Sequence, residues 1–164
     1  MVYILMGVSG AGKTLIGKKL ADRLGLPFHD GDDFHPEENV RKMKSGKPLN
    51  DRDRHPWLQT LAERIRAWNS QGGAVLACSA LKKSYREILR GDDPSNILFI
   101  HLKGSLPLIA SRLSERTEHF MPRELLQSQF EALEEPDNAL EVSIDQPPEQ
   151  VVASILDRLD LPDP

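Results

Sequence analysis

The sequence predicts an α/β fold, with a five-stranded parallel sheet covered by helices on both faces, as one domain over 1–164. Three observations carry this. Short apolar runs alternate with segments of helical period, the pattern of a parallel sheet joined by helical crossovers. The run Ala74-Val75-Leu76-Ala77-Cys78 is apolar at every position, as a strand buried on both faces requires. Finally, Gly7-Val8-Ser9-Gly10-Ala11-Gly12-Lys13-Thr14 reads G-x-x-x-x-G-K-T between an apolar run and a helical pattern, the setting in which that motif cradles phosphate.

The elements follow in order. Val2 to Met6 is the first strand, and Ile16, Leu20 and Leu24 mark the helix after the loop. Gly25 stops that helix and Pro27 follows it. Phe28-His29-Asp30 is a short second strand leading into Asp30-Gly31-Asp32-Asp33. Pro36-Glu37-Glu38 opens a helix carrying Val40 and Met43, which ends near Gly46. Residues 48–54 read as a polar loop. Pro56 then opens a long helix with Trp57, Leu61, Ile65 and Trp68 on one stripe, so both tryptophans are expected in the core. The third strand is 74–78, with helix at 85–89, and the fourth strand is 97–102. Helices at 106–113 and 123–133, a fifth strand at 140–145 and a last helix through Val151, Val152, Ile155, Leu156 and Leu159 complete the pattern.

Composition limits the function classes. The chain has 39% hydrophobic and 28% charged residues and a net charge of -4, which argues against a general nucleic-acid surface. One cysteine, Cys78, excludes an intrachain disulfide and fits a reducing cytoplasm. It reads as a buried small residue. No apolar run approaches the roughly 20 residues of a membrane span, and the first strand begins at once, without the pattern of a signal peptide.

The motif residues have distinct chemical tasks. Glycines at 7, 10 and 12 let successive amides turn inward around a phosphate, and the helix N-terminus behind them favours negative charge. Gly7, Val8, Ser9, Gly10, Ala11, Gly12, Lys13 and Thr14 are therefore the nucleotide-binding candidates. Lys13 reaches the β- and γ-phosphates, and Thr14 offers a hydroxyl to Mg²⁺. The third strand ends in Ala77-Cys78-Ser79, without the acid usual there in motor ATPases, and no guanine-reading Asn-Lys-x-Asp occurs. The acids must then come from elsewhere, and the end of strand two offers the candidates: Asp30 nearer the metal, Asp32 as base or hydroxyl orienter, with a solvated acidic turn as the plain alternative. Arg112 and Arg116, four apart on a helix, suit the migrating phosphoryl group; a solvated helix face is the plain alternative. The segment 117–122 is expected to form a lid. An anionic polyol acceptor needs cations and small polar groups, which Arg54, Lys82 and Arg86, with Asp32, His35 and Ser79, supply.

Several blocks together resemble the small, single-domain gluconate kinases. They are the loop 6–14, Asp30-Gly31-Asp32 with His35-Pro36, Lys42-Met43 with Gly46 and Pro48-Leu49-Asn50-Asp51, and Arg54-x-Pro56-Trp57-Leu58. Cys78-Ser79-Ala80-Leu81-Lys82-Lys83-x-Tyr85-Arg86, His119-Phe120-Met121, Gln127-Ser128-Gln129-Phe130-Glu131 and Ile144-Asp145-Gln146-Pro147 continue the match in the same order. The resemblance implies the three-layer P-loop kinase fold with sheet order 2-3-1-4-5. It implies ATP- and Mg²⁺-dependent phosphorylation of D-gluconate to 6-phosphogluconate by a homodimer. Gln146 and Pro147 are then expected beside the adenine. Thr117-Glu118 departs from the Lys-Gly-like pair common in that family and removes positive charge from the lid. Another small-molecule kinase of this fold, for shikimate or a related sugar acid, is the nearest alternative; a non-catalytic nucleotide-binding module is the other.

Overall fold

A computed structural model describes residues 1–115 and 123–159. Five strands, β1 (Val2–Met6), β2 (Phe28–Asp30), β3 (Ala74–Ala77), β4 (Ile97–Lys103) and β5 (Leu140–Ser143), form one sheet. Its order is β2-β3-β1-β4-β5, and every pairing is parallel. The expected order thus holds.

The helices are α1 (Lys13–Leu24), α2 (Glu37–Lys44), α3 (Asp51–Ser70), α4 (Lys83–Arg90), α5 (Leu106–Ser114), α6 (Arg123–Ala132) and α7 (Pro148–Arg158). Alternate strand residues feed two separate cores, because successive side chains leave a strand on opposite faces. Leu5, Val75, Ile100 and Leu102 pack with Ile16 and Leu20 of α1, Ile109 of α5 and Val151 and Ile155 of α7. Ile4, Leu76 and Phe99 pack on the other face with Trp57, Leu61, Ile65 and Trp68 of α3 and Leu89 of α4. Both tryptophans are buried, as their period predicts.

Two expectations change. Residues 48–54 are not wholly loop, because α3 begins at Asp51. Asn50 and Asp53 form a reciprocal capping box, each side chain accepting from the other's backbone N–H, at 2.8 and 3.0 Å. Pro56 therefore sits inside the helix, where its ring leaves the Arg52 carbonyl without its i+4 donor. In α2 the buried residue is polar Asn39, whereas Met43 of the expected apolar stripe is 42% exposed.

Candidate active site

Parallel strands bring their carboxyl ends to one edge, and the loops leaving β1, β2 and β3 meet there. The phosphate-loop motif leaves β1, and its start is pinned to β3 where Gly7 N–H donates to the Ser79 carbonyl at 3.2 Å. Gly10 holds φ +84°, and a Cβ there would come within 2.7 Å of the Leu113 side chain and 3.0 Å of Ile109. Only glycine meets both the backbone angle and that contact. On the other side of the loop, the Gln129 side chain of α6 accepts from Ser9 N–H at 2.7 Å and donates to Ser9 Oγ at 3.0 Å. Lys13 Nζ donates to the carbonyls of Gly7 and Val8 at 2.9 and 3.1 Å, which holds its ammonium against the loop.

The acidic turn lies beside this loop. Thr14 Oγ1 donates to Asp30 Oδ2 at 3.4 Å. Asp30 Oδ1 accepts from Asp32 N–H at 3.0 Å, capping the 3-10 turn Gly31–Phe34. Trp57 Nε1 of α3 donates to the Gly31 carbonyl at 2.8 Å and fixes the turn against the helix. A hydroxyl and a carboxylate on facing elements are hard oxygen donors, the chemistry Mg²⁺ prefers. Withdrawal from bulk water and then the Asp30 charge raise the Asp32 pKa above its ordinary value, while Lys13 opposes them. The Asp32 side chain is nevertheless 84% exposed, so solvent screening keeps the shift modest.

His35 follows the turn, and its side chain is largely buried. Its ring stacks on Trp57 with centroids 4.2 Å apart and planes 16° from parallel. Burial first, and Arg54 second, depress its pKa to about 4, so the ring is neutral at physiological pH.

The third wall is cationic. Arg54 Nη1 donates to Tyr85 Oη at 3.2 Å, and Lys82 Nζ donates to Asp51 Oδ1 at 2.9 Å. Tyr85 Oη also donates to Asp51. Both cations lie over the Tyr85 ring, 5.7 and 5.6 Å from its centroid. Hydrogen bonds from Tyr85 and Lys82 lower the Asp51 pKa, so Asp51 stays ionised between them.

Not every expected residue reaches the cleft. Arg86 is 2% exposed and gives its guanidinium to the carbonyls of Ala80 (2.7 Å), Leu81 (3.1 Å) and Glu134 (2.8 Å). It ties α4 to the chain before β5, and this structural place replaces the expected substrate contact. Arg86→Met should leave those carbonyls unpaired and cost about 3 kcal/mol or more of stability, read as a lower denaturant midpoint; an unchanged midpoint would refute the role. Arg112 donates to the Ile144 carbonyl at 2.5 Å, joining α5 to the end of β5. Gln146 donates to the Ser143 carbonyl at 2.8 Å, and Pro147 caps α7. Arg116 and the expected lid 117–122 lie outside the described residues. Cys78 is buried and its thiol is pushed up to about 12, as suits an inert core residue. His101, Glu135 and Glu141 also cluster, but Lys103 Nζ already bridges the two glutamates at 3.3 and 3.2 Å.

Asn39, Asp51, Tyr85 and Gln129 are parts of the site that the residue types alone did not single out. The one available signal was that Asn50-Asp51, Tyr85 and Gln129 fall inside the blocks that carry the resemblance.

A phosphate loop, paired acids at the next strand end and a facing pair of cations define a small-molecule kinase of the P-loop type. The shikimate kinase family profile matches residues 9–160. The thermoresistant gluconokinase of Escherichia coli is 47% identical over 161 residues, spanning 95% of this chain and 91% of that protein. The gluconokinase of Arabidopsis thaliana is 45% identical over 173 residues, covering 96% and 92%. The crystal structure of a gluconokinase from Sinorhizobium meliloti superposes with a TM-score of 0.87 at 44% identity, covering 96% of this chain and 92% of that one. The chain belongs to the gluconokinase branch of the shikimate kinase family. Among the described residues no helix is long and apolar enough to cross a membrane.

Proposed function

We propose that this protein transfers the γ-phosphoryl group of ATP to a hydroxyl of D-gluconate, giving 6-phosphogluconate and ADP. The observation that carries it is the convergence of three chemistries on one edge of the sheet. Lys13 on its loop would hold phosphate, Asp30 and Asp32 stand beside it as the acids for the transfer, and Arg54 and Lys82 would supply the charge a carboxylate substrate needs. In the reaction the hydroxyl oxygen bonds to phosphorus, the bond to the ADP oxygen breaks, and Asp32 orients the hydroxyl and takes its proton. Lys13, with Arg116 as the expected second cation, balances the charge that spreads over the phosphoryl oxygens. Ser79 and His35 are the small polar partners offered to the polyol hydroxyls.

Mg²⁺ fits the oxygen pair of Thr14 and Asp30, and when bound it would neutralise phosphate charge. A reducing cytoplasmic setting rests on the single buried cysteine. A homodimer rests on the family resemblance, and sedimentation velocity tests it.

ADP release from ATP and Mg²⁺ across gluconate, shikimate, other sugar acids and nucleoside monophosphates tests the reaction. A strong response to gluconate alone is expected. A response to another acceptor would retain the kinase and replace the substrate, and ATP binding without any acceptor response would leave a nucleotide-binding module. Arg54→Ala should raise the gluconate KM about ten- to a hundredfold, the loss of a charge-assisted contact, with ATP KM little changed. An unchanged gluconate KM would remove Arg54 from the acceptor site.

A further inference from the structure

The polar residue that α2 buries, Asn39, is 5% exposed. Its amide nitrogen has two neighbours, the Asp53 carbonyl oxygen at 2.9 Å and His35 Nδ1 at 3.2 Å. A carbonyl can only accept. The amide must therefore turn its NH₂ toward Asp53, since the flipped amide would set two oxygens against each other. The same NH₂ faces Nδ1, so Nδ1 accepts and the neutral ring carries its hydrogen on Nε2.

The partners behind Asn39 are fixed as well. Asp53 closes the capping box of α3, and its carboxylate pairs with Lys42 of α2 at 2.6 Å. The Trp57 stack sets the ring plane. Nε2 lies 3.8 Å from Asp32 Oδ1. That is too long for a direct hydrogen bond, but one oxygen between the two atoms can bond to both. A hydroxyl suits the place because it donates to the carboxylate and accepts from the imidazole N–H.

We propose that Asn39 is a positioning residue that locks His35 as an Nε2–H donor, so that His35 and Asp32 together read one hydroxyl of the acceptor. The substrate part rests on the gluconate reading above. Around the ring, the charged groups are Asp32 on the acidic turn, Arg54 on α3, and the Lys42–Asp53 pair behind Asn39.

The tautomer can be read directly in the wild-type protein from the imidazole ¹⁵N shifts of His35, identified by their loss in His35→Gln. A bare Nδ1 and a protonated Nε2 are expected from pH 6 to 8, and the opposite tautomer or a titrating imidazolium would overturn the proposal. In Asn39→Asp the new carboxylate accepts from Nδ1–H and raises the His35 pKa. The donor at Nε2 then survives only while the ring is protonated. The gluconate kcat/KM of this variant should fall about tenfold more between pH 6 and pH 8 than that of the wild type. Asn39→Leu should lose activity evenly across that range. Equal, pH-independent losses in both variants would reduce Asn39 to packing and refute the positioning role. A wild type inactive on gluconate would refute the substrate reading instead, leaving the ¹⁵N result to decide the tautomer.

Discussion

Lys13→Ala should lower kcat for ADP formation by roughly 10²–10³-fold, as expected when a preorganised cation is removed from developing charge. The change should leave the fold intact. Lys13 Nζ is bound to two carbonyls of its own loop, while α1 is anchored independently by Ile16, Leu20 and Ala21 in the core. Circular dichroism should therefore match the wild type while turnover collapses. A variant with near-normal turnover would show that the loop does not face the transferred group. One that fails to fold would show that the lysine supports the loop more than it serves the chemistry.

Asp32→Asn should reduce kcat by about 10²–10⁴-fold, the usual range for a general base, with ATP affinity nearly unchanged. Asparagine keeps the shape and the 3-10 turn, whose cap uses the Asp32 backbone N–H. It cannot take a proton. A pH profile separates the roles. The folded pKa of Asp32 is raised, so the active ionised form is lost as pH falls through a value above the ordinary 3.8. The kcat/KM of the wild type should show that acid limb, and Asp32→Asn should not. If only the gluconate KM rises, Asp32 positions the substrate without accepting its proton.

Much of this fold was legible because local chemistry and global arrangement agree. The apolar run at 74–78 holds the interior strand β3, and the phosphate-loop motif lies between β1 and α1, as its context requires. What stayed hidden has physical reasons. The start of α3 is a run of alternating charge, and its capping box uses Asn and Asp in place of the commoner pair. Asn39 breaks the apolar period on which helix faces are read, because its burial is compensated by two hydrogen bonds. An arginine after a strand end reads the same whether it faces a substrate or three carbonyls, so residue type alone does not show that Arg86 is held by Ala80, Leu81 and Glu134. Asp30 and Asp32 were legible as candidates because they follow the end of β2, where a parallel sheet gathers its ligands.

The grip of α5 and α6 on the phosphate loop has a consequence for engineering. Ile109 and Leu113 press on Gly10 from one side, and Gln129 holds Ser9 from the other. The eight-residue motif is therefore not a portable cassette. Grafted alone onto another scaffold, it would keep its signature but lose the two braces that set its curvature. A graft should therefore carry those three distant side chains, and the β3 end that pins Gly7, to keep the loop's shape.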